Sequence, residues 1–187
     1  MKKFILVIFL MVISRFYDAY TTFIFIPDLE RETNFLVSMF GIGWTSILIV
    51  QIVVMCFLSY TAYIYYFKTI KIIDFDENIS LKQFISIFHF NNPNDFFKMF
   101  YKLPTNKHSF LYSLGAIVPK GLIIISLIAG TSTTMLILND VYRTFYREYN
   151  VPIFLYASMA IILAVLSINF YRKEKQERIK ISKQVLA

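Results

Sequence analysis

The chain has 187 residues, a formal charge of +7 and a mean hydropathy of +0.58, with 57% hydrophobic residues that include 20 Phe and 13 Tyr. Soluble domains sit nearer about 45–50% apolar, and the excess here is gathered in blocks as long as a bilayer is thick, which excludes a soluble globular domain. Basic residues flanking membrane segments account for the charge without nucleic acid, and the single Cys56 excludes an internal disulfide or a Cys-based zinc site.

The first apolar block, Phe4–Ile26, is roughly 34 Å long at 1.5 Å per residue, enough to cross. Lys2 and Lys3 before it resemble the start of a secretory signal, but no small-residue cleavage site follows and the apolar character resumes after Asp18. It therefore reads as an uncleaved span. Pro27 ends it, because the residue before a proline is pushed out of helical geometry.

Within that span, Ser14, Asp18, Thr21, Thr22 and Phe25 share a helical face, and Arg15 stands three residues before Asp18. An ion near the middle of a spanning helix costs about 2.5–3.5 kcal/mol, so both charges should face protein or water. Pairing lowers that cost and lets the carboxylate accept from Thr22 or hold a cation or proton. The alternative is an internal salt bridge that only fixes helix packing.

Asp28, Glu30, Glu32 and Asn34 follow on the outer side. They supply oxygen ligands of the kind calcium or magnesium takes, but lack the order of a calcium loop. A hydrated loop balanced by Arg31 is the other reading, and the metal is left unassigned. Pro27 is expected to turn Glu32 and Asn34 back toward Asp18.

The pattern Asp18-x-x-Thr21-Thr22, then Glu32-x-Asn34, then the Gly41-Ile-Gly43 turn before the second span resembles a group of small bacterial integral membrane proteins of unknown function. In that group an Asp-x-x-Thr helix is followed by Glu-x-Asn-Pro. The match covers about residues 15–50, with Phe35 where the group often has proline. No activity comes with the resemblance; it implies that Asp18, Glu32 and Asn34 form a linked set.

The second span is Gly43–Phe67, with Trp44 at one end and Tyr60, Tyr63, Tyr65 and Tyr66 crowding the other as an aromatic belt does. Gln51 is its one strongly polar side chain at depth and is expected to hydrogen-bond across the bundle, toward the Arg15–Asp18 pair.

Lys68–Val118 is a long insertion. Ser80-Leu-Lys-Gln83 is a capping-box pattern, and Leu81, Phe84, Ile85 and Phe88 follow at helical spacing. Asn91-Asn92-Pro93 breaks that helix. A second amphipathic stretch, Asp95–Leu103, sets Phe96, Phe97, Phe100 and Tyr101 against Lys98 and Lys102. Both pieces are too short to span and are expected to lie in the plane of the inner surface or on the mouth of the bundle. Residues 81–103 also suit a protein partner. His89 and His108 beside these stretches read as surface histidines.

The third span is expected to start at Pro119, a favoured first helical position, and to run to Leu138. The fourth is Val151–Tyr171. There Ala157, Ala160, Ala164 and Ser167 form a stripe of small residues suited to helix packing, including with a second copy of the chain. The tail 172–187 reads as a frayed cytoplasmic helix.

Six lysines fall in Lys68–Lys107 and six Lys or Arg in the tail, with Lys2 and Lys3 at the start; the other side has Arg31, Arg143 and Arg147. That bias puts both termini in the cytoplasm. The chain thus reads as one all-α membrane domain over residues 1–187: a four-span transmembrane helical bundle with a cytoplasmic pair of amphipathic in-plane helices, in a bacterial-type inner membrane. No zincin, nucleophile-elbow or phosphate-loop motif is present, which leans away from an enzyme and names no cofactor. A lipid-modifying enzyme would need Asp18 and Glu32 to act together as base and metal ligand, and two functions rank ahead of it. One is binding or passage of a small cation or polar ligand at Arg15, Asp18, Thr22, Glu32, Asn34 and Gln51; the other is a non-catalytic accessory subunit.

Overall fold

The computed structural model describes residues 1–28, 43–70 and 78–186. Six α-helices and one 3₁₀ turn account for most of them, and the described residues contain no strand. The helices are α1 (Lys2–Phe25), α2 (Trp44–Phe67), α3 (Leu81–Phe90), α4 (Lys107–Leu138), α5 (Asp140–Glu148) and α6 (Val151–Leu186), with the 3₁₀ turn at Phe96–Phe100. Four of them, α1, α2, α4 and α6, are long and apolar enough to cross a membrane.

The bundle is organised around α4, which packs against α1, α2 and α6, while α1 and α2 touch each other sparingly. Ring contacts set the directions. Phe4 of α1 meets Tyr66 and Phe67 at the end of α2, and Phe23 meets Trp44 at its start. These two helices are therefore antiparallel. Close approach to α2 requires Gly115: a Cβ there would fall 2.0 Å from the Thr61 carbonyl oxygen. Such small-residue contacts let backbones meet where lipid offers no hydrophobic driving force.

Helix α4 begins twelve residues before the start expected at Pro119, which lies inside it and is buried. A proline in mid-helix removes the N–H that would bond the carbonyl four residues earlier, here that of Gly115. The upstream turns hold because they are fixed from outside. Asn106 caps them through the Ser109 N–H at 3.1 Å, Tyr112 packs on Tyr65, and Ala116 and Ile117 are buried. The proline start is thus overridden by tertiary packing.

The Ser80–Gln83 capping box forms as its spacing predicts, and α3 runs over Leu81–Phe90. Phe84 and Phe88 do not face lipid or a partner; they are buried with Ala116, Ile117 and Tyr171, and Leu163 and Leu166 pack alongside. The second amphipathic stretch is not an α-helix over Asp95–Leu103 but the 3₁₀ turn Phe96–Phe100.

Two further expectations are corrected. The tail is no frayed end, since α6 continues unbroken to Leu186. Its Glu174 and Arg178 form an i, i+4 ion pair at 2.9 Å with side chains only 10% and 7% exposed, and the Arg178 guanidinium lies over Phe88. His89 is not on the surface; it is fully buried, with Nε2 2.7 Å from the Tyr171 hydroxyl. The rings of Phe88, Phe110 and Tyr171 pack around it, and the Asn106 N–H donates to the His89 carbonyl at 2.9 Å.

The amphipathic helix α5 was not foreseen. Asn139 caps it through the Tyr142 N–H. Arg143 reaches back to the Leu136 carbonyl at 2.9 and 3.1 Å, closing an end of α4 that has no intrahelical donor.

Candidate polar site between the first helix and the central helix

Helix α1 turns Met11, Ser14 and Thr21 fully inward. The hydroxyls on this face are largely satisfied by their own helix: Ser14 donates to the Met11 carbonyl, and Thr21 to the carbonyls of Tyr17 and Asp18. This back-bonding is how a hydroxyl enters an apolar region without an unpaired donor.

Arg15 and Asp18 form an ion pair at 2.7 Å, with side chains 21% and 16% exposed. The same Arg15 nitrogen donates to the Ser126 hydroxyl of α4 at 3.2 Å, and Ser126 is fully buried. About two turns further along α4, the Tyr17 hydroxyl and Thr134 Oγ1 lie 2.8 Å apart. Gly130 sits between these contacts. A Cβ on it would fall 2.7 Å from the Tyr17 ring and 3.3 Å from the Asp18 Cα. The glycine therefore sets how near the charged pair comes to α4.

Of the residues singled out from sequence, Arg15 and Asp18 come together, and Thr22 is half-buried on the same helix. Gln51 is half-buried on α2, while the Arg15 guanidinium is engaged by Asp18 and Ser126. Glu32 and Asn34 lie outside the described residues, as do Glu30 and Arg31. Among the described residues no three His, Cys, Asp or Glu side chains gather as a metal site. Ser126 and Tyr17 were not among the site residues chosen from sequence. Ser126, Gly130, Thr133 and Thr134 do recur at helical spacing in α4, which was the available signal.

Chemically, the arrangement is a compact pair of opposite charges with an adjoining hydroxyl, bridging two spans and still partly open. No family model matches the chain, and no curated protein or solved structure does so either.

Proposed function

We propose that this is a multi-pass protein of a bacterial-type cytoplasmic membrane, with both termini on the cytoplasmic side. Its Arg15–Asp18–Ser126 cluster binds a small cation or polar ligand approached from the outer face through Glu32 and Asn34. One observation carries this reading: Arg15 bonds a carboxylate on its own helix and a hydroxyl on α4 at once, and neither charged side chain is fully closed off. Ions at such depth are costly enough that they commonly mark polar pathways or sites. The likeness to small bacterial membrane proteins with an Asp-x-x-Thr helix adds weight to Asp18.

Thermal melting of purified protein in detergent, across monovalent and divalent cations and zwitterionic amino acids, tests it. A ligand at a hundred times its Kd raises stability by about 2.7 kcal/mol. The rise should occur in the native chain and vanish in Asp18→Asn. Melting unchanged by every solute would remove the binding role.

A second reading, an accessory subunit or homo-oligomer, is favoured by α6. The most apolar 18-residue window of that helix buries none of its residues within the chain, and Ala157, Ala160 and Ala164 are exposed. Native mass measurement should then show an oligomer that Ala160→Trp dissociates; a monomeric native chain counts against it.

A further inference from the structure

The loop between α3 and α4 leaves large apolar side chains uncovered beside a structure that buries its neighbours. Phe97, Phe100, Tyr101 and Leu103 are 63%, 78%, 76% and 81% exposed. At the loop's start the rings of Phe96, Phe97 and Phe100 lie 5.8 to 6.5 Å apart, and Tyr101 and Leu103 follow in the same short segment. Exposed aromatics grouped in this way mark an interaction surface rather than ordinary surface scatter.

The charge around the patch is one-sided. Lys82, Lys98, Lys102 and Lys107 stand within or beside this stretch of the sequence, and Asp95 is the one acidic residue between positions 81 and 107. Asp95 is held by Lys98 at 2.7 Å. The Lys82 ammonium lies 4.2 Å from the centre of the Phe97 ring and 5.4 Å from that of Phe96, so a cation and the aromatic face are presented together.

Basic charge beside exposed aromatic rings fits an anionic lipid surface. Helix α3 inserts Phe84 and Phe88 among Ala116 and Ile117 of α4, with Leu163 and Leu166 of α6 packed against that cluster. Leu163 and Leu166 lie in the apolar half of α6, whereas Ala116 and Ile117 stand just before Pro119 and Lys120 of α4. The belt tyrosine Tyr65 meets Tyr112 and Phe170 at the same end. Helix α3 therefore packs on the bundle at the end marked by these tyrosines, and the 97–103 loop follows it directly.

We propose that the 97–103 loop docks into the anionic leaflet of the bilayer that holds the protein, with Phe97, Phe100, Tyr101 and Leu103 entering the interface and the four lysines contacting lipid phosphates. Aromatic side chains favour that interface, and basic residues beside an apolar surface bind anionic lipid jointly with it. The proposal rests on the spanning arrangement of α1, α2, α4 and α6, and does not need the Arg15–Asp18 ligand site.

The test uses the full chain with Cys56→Ser and one new cysteine, Phe100→Cys or Leu103→Cys, carrying an environment-sensitive fluorophore. Each variant is reconstituted in nanodiscs of zwitterionic lipid or of zwitterionic lipid mixed with phosphatidylglycerol. Brominated lipid should quench both labels, more strongly with phosphatidylglycerol present. Neutralising Lys98 and Lys102 to Gln should shift the inserted-to-exposed balance about fivefold per lysine. A third label at Ile124→Cys, an exposed mid-α4 position, separates the two ideas. If brominated lipid quenches the Ile124 label but neither loop label, the docking is wrong and the spans stand. If the Ile124 label also escapes, the spanning arrangement itself fails. Loop labels shielded from aqueous iodide in native membranes yet untouched by brominated lipid would mean a protein covers the patch, which also overturns the proposal.

Discussion

The Nε2 of His89 and the hydroxyl of Tyr171 lie 2.7 Å apart, joining short α3 to the far part of α6 across 82 residues of sequence. The histidine is fully buried, and burial pushes its pKa down from 6.5 to about 4. It is therefore neutral in the folded protein wherever the unfolded chain has begun to charge.

Stability should follow that difference. Above pH 6.5 both states are neutral at His89 and its contribution is fully present. As pH falls toward 4 the unfolded chain takes up the proton and the folded one does not, so stability declines by up to about 1.4 kcal/mol per pH unit. Chemical denaturation in detergent between pH 7.5 and 4 checks this. His89→Leu should flatten the slope relative to the native chain; an unchanged slope would assign it elsewhere.

Tyr171→Phe leaves the His89 nitrogen buried without its partner, a loss of roughly 1–3 kcal/mol. Hydrogen exchange should then show α3 opening before the spans do.

For Arg15 and Asp18 the informative measurement is a double-mutant cycle. Removing one charge takes away the other's ion-pair partner, at roughly 3–5 kcal/mol for a buried pair; partial exposure puts the expected loss for Asp18→Leu or Arg15→Met at the low end of that range. Replacing both, Arg15→Met with Asp18→Leu, should recover much of it. Recovery of stability together with loss of ligand-dependent melting would assign the pair to binding; recovery with nothing else lost would leave it a packing device.

Gly115→Ala places a methyl 2.0 Å from the Thr61 carbonyl oxygen. Helix propensity gains up to about 1 kcal/mol, while overpacking costs typically 1–3 kcal/mol. Because the obstacle is backbone, the overpacking should prevail and the melting temperature should fall. Gly43→Ala, which meets nothing within 4 Å, is the control and should change little.

Arg178→Lys keeps the charge but not the fork that holds Glu174 through both Nε and Nη2, nor the flat guanidinium over Phe88. A drop of about 1.5–3 kcal/mol is expected for a buried charge-assisted hydrogen bond. Proteolysis within α3 should quicken in parallel.

The four long helices were readable because each is an apolar block of bilayer length, and the Ser80–Gln83 cap because its chemistry is local. What sequence concealed was set by distant partners. Pro119 is a helix-start signal that α4 overrides, since residues 107–118 are held by Tyr65, Asn106 and the buried core. The charged tail reads as solvated until Arg178 is seen lying on Phe88. His89 follows the same rule, as its cover includes Phe110 of α4 and Tyr171 of α6. At the polar cluster, the i, i+3 spacing of Arg15 and Asp18 was legible, whereas Ser126, 111 residues away, was not assignable as the partner.

The central place of α4 bears on how the protein is made. Translation delivers α1 and α2 first, and they hold each other chiefly by aromatic rings at their tips. Until residues 107–138 leave the ribosome, the two arrivals have little to grip, and the guanidinium in α1 lacks its serine. Nascent chains halted before that point should be prime substrates for membrane quality-control proteases.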